Sequence, residues 1–466
     1  MAGTEGIYTR ALAEYITNSH NEEVPEDLTQ WMKMLTLDTI GCGLLASRFP
    51  WTERIVDTLT AVEGPGPSLV WGTNKRFSPA NAAMANGTSV HGFELDDVGA
   101  GGHNGSVTTT VALGLAEAGA PLSGKDLIRA TVTGVEITTR VMECCGRIPH
   151  VTCGFHGPGL FGAFAAMASA SYVLNLDADQ CVNAIGNVSQ FTGGLMDTHH
   201  GGMGKRLLAG KAAHSGVLAA QLAAHGFTNV DNIMECGYGS FPSAFSGARD
   251  TFDLEKLREG LGTAFNAYGV NFKVWACRVP IHPSLEAVKK LRETHEINPD
   301  DVERVDVALP EGSYKAVGFE YHPTTITSAQ LNLQYCLSIM LLENDVFIEQ
   351  FSEEKIASPR VLDLVSKVHI RHDPELDHAP GGTIARDTIV EITLKNGETL
   401  RQRGTVRGYE GNPVTYDEVV AKFRKTSSGR ITEAEQDELI ELCAKLETLP
   451  DARVLLKALE VGAAVA

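Results

Sequence analysis

No stretch of this 466-residue chain approaches the ~20 consecutive apolar residues that a membrane-spanning helix needs. The opening Met1-Ala-Gly-Thr-Glu lacks the basic and apolar regions of a signal peptide. Basic residues are also scarce: 39 Lys and Arg face 58 Asp and Glu, for a net charge of −19. That balance speaks against nucleic acid and anionic membranes as partners. It also means that an anionic substrate needs a local basic pocket. The nine cysteines are scattered without a CxxC pair, and the adjacent Cys144 and Cys145 suit neither a metal clip nor a simple bridge. Reduced thiols and a cytoplasmic protein are expected. HExxH and GxSxG are both missing, so the usual zinc-hydrolase and serine-hydrolase signatures are excluded.

What is present is the balance of an ordinary globular protein, 43% hydrophobic and 21% charged, with length for two to three domains. The first half reads as helices rich in Ala and Gly. Pro25 opens an amphipathic run to Leu45, and further helices are expected at Pro79–His91, Val107–Ala118, Gly124–Cys145, Gly159–Leu174, Ala178–Ser189 and Lys205–His225. Small residues in Asp38-Thr-Ile-Gly-Cys-Gly suit close helix contact. Near residue 265 the texture changes. Gly269–Trp275, Val302–Leu309, Val368–Arg371, Thr388–Leu394 and Thr399–Arg403 read as strands, with Asn396-Gly397 a hairpin turn. Pro283–His295 and Ser328–Leu342 read as helices, as do three segments after Pro413. The expected fold is mainly α: a large helical domain from residues 1–265 and 411–466, with a smaller α+β domain, 266–410, inserted.

Five segments carry candidate chemistry. The run from His91 to Ser106 joins Asp96 and Asp97 to His103 through Gly99, Gly101 and Gly102. Carboxylates beside an imidazole suit proton transfer, and the glycines would let backbone approach a ligand. Cys153-Gly-Phe-His-Gly-Pro-Gly sets His156 before a helix N-terminus, where a carboxylate could dock; its formal GxGxxG lacks the βαβ setting of a dinucleotide site. Thr198 to Arg206 places Lys205 in a glycine-rich turn. It is no P-loop, because position 199 is His and position 206 is Arg. Lys273, Arg278 and His282 concentrate positive charge in an acidic chain, and Tyr335 lies on a helix where it could donate a proton or orient a ligand. No ligand spacing points to a metal.

Taken in order, these segments resemble the MmgE/PrpD family. The landmarks are Leu37-Asp-Thr-Ile-Gly41, Ala85-Asn-Gly-Thr-Ser-Val-His-Gly-Phe-Glu-Leu-Asp-Asp97, His103, Gly154-Phe-His-Gly157, Gly204-Lys205, Gly226-Phe-Thr228, Lys273 and Gln334-Tyr335. The resemblance implies the two-domain fold, a homodimer, and catalysis without metal or organic cofactor on a small di- or tricarboxylate. It also implies an active site, at the domain junction, of the aspartate pair, His103, His156, Lys205, Lys273 and Tyr335. Three activities occur in the family: dehydration of 2-methylcitrate, decarboxylation of cis-aconitate and epimerisation of iminodisuccinate. Gly99-Ala100-Gly101 and Arg278 stand where the decarboxylase branch has histidines, and Asn-Gly-Ser follows His103 where the dehydratase branch has Pro-Ser. Epimerisation is therefore the expected activity, with dehydration or decarboxylation as alternatives and a non-catalytic carboxylate-binding protein as another. In that reading His103 or His156 removes the α-proton, a group on the opposite face returns it, and Asp97 orients an imidazole. Lys205, Lys273 and Arg278 hold carboxylates, with Asp96 and His282 at the substrate.

Overall fold

Helices can pack at backbone distance only where small residues leave room, and Gly41 shows this directly. A Cβ there would lie 2.5 Å from Thr426 Oγ1 and 3.1 Å from the Phe423 ring. The long Glu26–Ala46 helix is thereby seated on the Tyr416–Ser427 helix, far away in sequence. The computed structural model describes residues 6–146, 153–196, 198, 202–246, 251–377, 387–408 and 412–460. Contacts divide the chain into a larger unit, Met1–Asp197 with Met203–Phe272 and Thr415–Ala466, and a smaller one, Thr198–Gly202 with Lys273–Val414.

The larger unit is helical. The Gly204–Ala224 helix packs against Pro79–His91, Gly157–Val173 and Ala178–Phe191. Local chemistry fixes where these helices begin. Ser123 and Asp126 cap each other reciprocally at the start of Gly124–Cys145, as Asp177 and Gln180 do for Ala178–Phe191. Pro79 and Pro158 occupy first turns, where a missing N–H costs nothing. One consequence positions the chemistry. His91 closes one helix, His103 and His156 sit at the N-caps of two others, and Lys205 and Arg206 lie in the first turn of a fourth.

The smaller unit is built on a four-stranded sheet in the order Val368–His372, Val302–Leu309, Thr388–Leu394, Thr399–Gly404. The first pair is parallel and the others antiparallel. Strict alternation of buried and half-buried residues along Thr388–Leu394 sets its register, and Gly397, at φ 88°, turns the hairpin. The His282–Thr294 helix covers the sheet, and a Cβ on Gly404 would collide with the Pro283 carbonyl.

Two expectations need correction. The strand expected from Gly269 to Trp275 is only Val270–Asn271, paired with Val98–Gly99 in the larger unit. The helix expected over Ser328–Leu342 is two, Ile326–Gln330 and Leu333–Glu343, because the Asn332 side chain caps the second from its own N-terminus.

Candidate active site

The turn from His91 to His103 is bent by backbone conformations that L-amino acids rarely adopt. Glu94 has φ 57° and Ala100 φ 41°, beside Gly99 at 104° and Gly101 at 88°. The glycines meet protein rather than ligand: a Cβ on Gly99 would lie 2.3 Å from the Gly269 carbonyl, and one on Gly101 2.8 Å from Thr138 Cγ2. Their role is close packing of the turn.

That turn sets a carboxylate between two imidazoles. Asp96 Oδ2 lies 3.0 Å from His91 Nδ1 and 3.1 Å from His103 Nδ1. His103 Nδ1 is also 2.7 Å from the Asp97 carbonyl oxygen. Both neighbours of His103 Nδ1 accept only, so that nitrogen carries hydrogen and Nε2 becomes the proton-exchanging atom. The His91 side chain is fully buried while that of His103 is 10% exposed, so His103 is the reachable imidazole of the two.

His91 is held neutral. Its Nε2 lies 3.1 Å from Lys205 Nζ, an ammonium that can only donate, so its own hydrogen sits on Nδ1 and points at Asp96. Burial first, and the Lys205 charge second, push its pKa well below the usual imidazole value. Lys205 and Arg206 both pair with Glu94, and the Arg206 guanidinium also lies 5.2 Å over the Trp51 ring. Burial brings Arg206 down to about 10.

Asp97 faces the other way. Its two oxygens accept from the backbone N–H groups of Asn104 at 2.6 Å and Gly105 at 2.9 Å, capping the Asn104–Glu117 helix. Burial, and then the charge of Asp96, push its carboxyl up to about 7. The aspartate whose side chain touches the imidazoles is therefore Asp96, not Asp97; Asp97 reaches His103 through its carbonyl.

His156 caps its own helix: its Nδ1 accepts from the Gly159 N–H at 3.3 Å, which leaves the neutral ring with hydrogen on Nε2. Its centroid is 6.3 Å from that of His91, and His91 and His103 are 4.3 Å apart. The two imidazoles expected at the site thus have opposite tautomers, with Nε2 an acceptor on His103 and a donor on His156. Residues 147–152 and His199, also weighed in the sequence, lie outside the described residues.

His91, Asp96 and His103 offer atoms within 4.8 Å of one another, a spacing a metal ion can use. The Asp97 carbonyl at 2.7 Å engages His103 Nδ1, so a metal there would have to be held through Nε2 of that imidazole.

The smaller unit carries the remaining candidates, and hydrogen bonds within that unit engage three of them. Tyr335 is fully buried, and its hydroxyl donates to the Gln350 carbonyl at 2.5 Å, so its proton is committed within the core rather than offered to a ligand. His282 Nε2 lies 3.2 Å from the Cys277 carbonyl. Arg278 donates to the Ala316 carbonyl at 2.8 Å, and burial brings it down to about 10. Lys273 is 2% exposed.

Sequence reasoning missed Glu94 and Arg206 and left His91 outside the candidate site. The signal was there for the first and last, in the same His91-to-Asp97 run; Arg206 was read only as the residue that spoiled a P-loop.

Two matches account for most of the chain: residues 10–253 match the MmgE/PrpD N-terminal domain and residues 275–448 the MmgE/PrpD C-terminal domain. The chain belongs to the MmgE/PrpD family. It is 30% identical over 474 residues to a cis-aconitate decarboxylase-like protein of Aspergillus oryzae, with 97% of each chain covered. It is 28% identical to the cis-aconitate decarboxylase of Aspergillus terreus (97% of this chain, 95% of that one) and 27% to that of Homo sapiens (96% and 93%). Two of these relatives are named as cis-aconitate decarboxylases and the third as decarboxylase-like, so the similarity favours the decarboxylase alternative over epimerisation. No helix among the described residues is long and apolar enough to cross a membrane.

Proposed function

We propose that this protein is a lyase that removes carbon dioxide from a small unsaturated tricarboxylate of the cis-aconitate type. One observation carries the reading: His103 is held by Asp96 and the Asp97 carbonyl so that only Nε2 can exchange a proton. Similarity over nearly the full length to proteins named as cis-aconitate decarboxylases supports the substrate class.

The chemistry balances without a cofactor. The bond from the CH₂ carbon to its carboxyl group breaks, and carbon dioxide leaves. The electron pair forms a new C=C bond at the CH₂ carbon, and the former alkene carbon takes a proton. Negative charge that develops before protonation spreads into the neighbouring carboxylate as an enediolate. In this account protonated His103 delivers the proton from Nε2, and Asp96 stabilises its imidazolium. His156 Nε2–H and the Lys205 ammonium hold substrate carboxylates and the developing charge, an effect worth several kcal/mol in a dry, preorganised site. Lys273 and Arg278 are kept as carboxylate-holding residues because of their charge type, and a cytoplasmic homodimer as the form in which the protein works. Gly99 and Gly101, which the sequence offers in favour of epimerisation, are accounted for by packing of the turn.

The test is a product assay in deuterated water with cis-aconitate, methylcitrate and iminodisuccinate side by side. Carbon dioxide release from cis-aconitate, with deuterium in the product, supports the reading. Water loss from methylcitrate, or label entering iminodisuccinate without loss of mass, overturns it.

A further inference from the structure

The active-site turn is held from below by a side chain that enters from the C-terminal end of the chain. Lys422, on the Tyr416–Ser427 helix, is buried. Its Nζ lies 2.6 Å from Asp38 Oδ1 and donates to the Leu95 carbonyl at 2.5 Å. Leu95 directly precedes Asp96, so this hydrogen bond fixes the peptide that aims the Asp96 carboxylate at both imidazoles. The two helices that carry the pair are seated together at Gly41, three residues beyond Asp38, against Thr426 and Phe423. The contact is therefore part of a rigid floor, not a mobile surface bridge.

We propose that Lys422 is a positioning residue for the reaction: it fixes the backbone of Leu95 and Asp96, and through it the Asp96–His103 pair. The inference rests on the proposed function for its kinetic arm alone. Lys422 touches no reacting atom; it acts through Asp96. It lies beside a crowded acidic site. Asp38 and Cys42 face it from one helix, and Glu94, Asp96 and Asp97 come from the turn. His91 and His103 flank those carboxylates, and Lys205 and Arg206 enter from the Gly204–Ala224 helix. Burial is the largest influence and works against the charge of Lys422, but Asp38, Cys42 and Asp96 together outweigh it and hold the ammonium above the ordinary lysine range.

Removing one partner of a buried ion pair destabilises strongly, so the test uses a double variant in which neither charge is stranded. Asp38→Asn/Lys422→Met removes both charges and the donor to Leu95; Lys422→Arg keeps donor and charge. Two readouts are taken on the full-length protein. The first, free of substrate, is the far-downfield proton resonance of the His103 Nδ1–H, assigned by its loss in His103→Gln. The second is kcat and KM for decarboxylation of cis-aconitate. The expected result is that the double variant shifts or loses the resonance and drops kcat by ~10-fold or more, the scale of a misaimed proton donor, with KM little changed. Lys422→Arg retains the resonance and most of kcat. A double variant that keeps its helical circular dichroism, its resonance and its kcat overturns the proposal, as does equal loss in Lys422→Arg. If the double variant fails to fold, Lys422→Gln, whose amide falls short of Leu95, is judged by the same readouts. If the wild type turns over no cis-aconitate, the functional reading fails, and the resonance alone still decides the role of Lys422.

Discussion

His103 Nδ1 lies 3.1 Å from Asp96 Oδ2 and 2.7 Å from the Asp97 carbonyl oxygen. Those two contacts choose the tautomer of the imidazole proposed as proton donor, and Asp96 supplies the charge that an imidazolium needs. Asp96→Asn offers an amide whose oxygen and nitrogen cannot serve two N–H donors equally. It is expected to lower kcat by ~10²–10⁴-fold, the usual span for positioned proton transfer. Steady-state kinetics check this, with KM expected to move only a few-fold. A kcat within threefold of wild type would remove Asp96 from the mechanism.

Asp97 makes the opposite kind of prediction. In the folded protein its carboxyl is pushed up to about 7 by burial and by Asp96; in the unfolded chain it titrates at ~3.9. Between those values the unfolded chain has released a proton that the folded chain retains, so stability falls as pH rises through that window. Asp97→Asn keeps an acceptor for the helix cap and abolishes the titration. The variant should therefore gain on the wild type as pH rises, by ~1–3 kcal/mol between pH 5 and pH 8. Chemical denaturation at the two pH values measures it, and a difference independent of pH contradicts the assignment.

Lys205 adds to burial in holding His91 neutral and is proposed to meet a substrate carboxylate. Lys205→Met leaves Arg206 paired with Glu94, so the fold should survive. KM should rise by ~10-fold or more, the cost of one lost charge-assisted contact. His91, freed of a neighbouring positive charge, should then take up a proton at higher pH than in the wild type. Histidine NMR titration reads the second effect, and unchanged KM together with an unmoved His91 refutes both.

Tyr335 is expected to matter for stability. Tyr335→Phe removes a buried hydrogen bond to the Gln350 carbonyl and leaves that acceptor unpaired, at a cost of ~1–3 kcal/mol. The unfolding midpoint should drop while kcat changes little. A large loss of kcat with an unchanged midpoint would return Tyr335 to the chemistry.

Much of this was legible in the chain, for reasons that differ by residue. Helix ends were readable because caps and prolines are local: Pro79–His91 and Gly124–Cys145 fall at the expected residues. The His91-to-His103 run announced a site because carboxylates, imidazoles and glycines rarely crowd together without a reason. Which aspartate served which imidazole was not legible, since a turn with φ 57° at Glu94 and 41° at Ala100 decides where adjacent side chains point. The glycines misled for the same reason. They answer to Gly269 and Thr138, partners distant in sequence, and not to a ligand. Lys422 left a faint trace: Val419, Lys422, Phe423 and Thr426 share the buried helix face, and a lysine on such a stripe requires a buried anion. Its partner Asp38, almost four hundred residues away, could only come from the fold.

The most direct measurement is carbon dioxide release from cis-aconitate in deuterated water by wild type and His103→Gln. One carbon dioxide is expected per substrate consumed, with a single deuteron delivered to the former alkene carbon. The rate should be ~10²–10⁴-fold lower in the variant, whose amide cannot transfer that proton. Turnover without carbon dioxide, or a variant that decarboxylates at the wild-type rate, contradicts the proposed function.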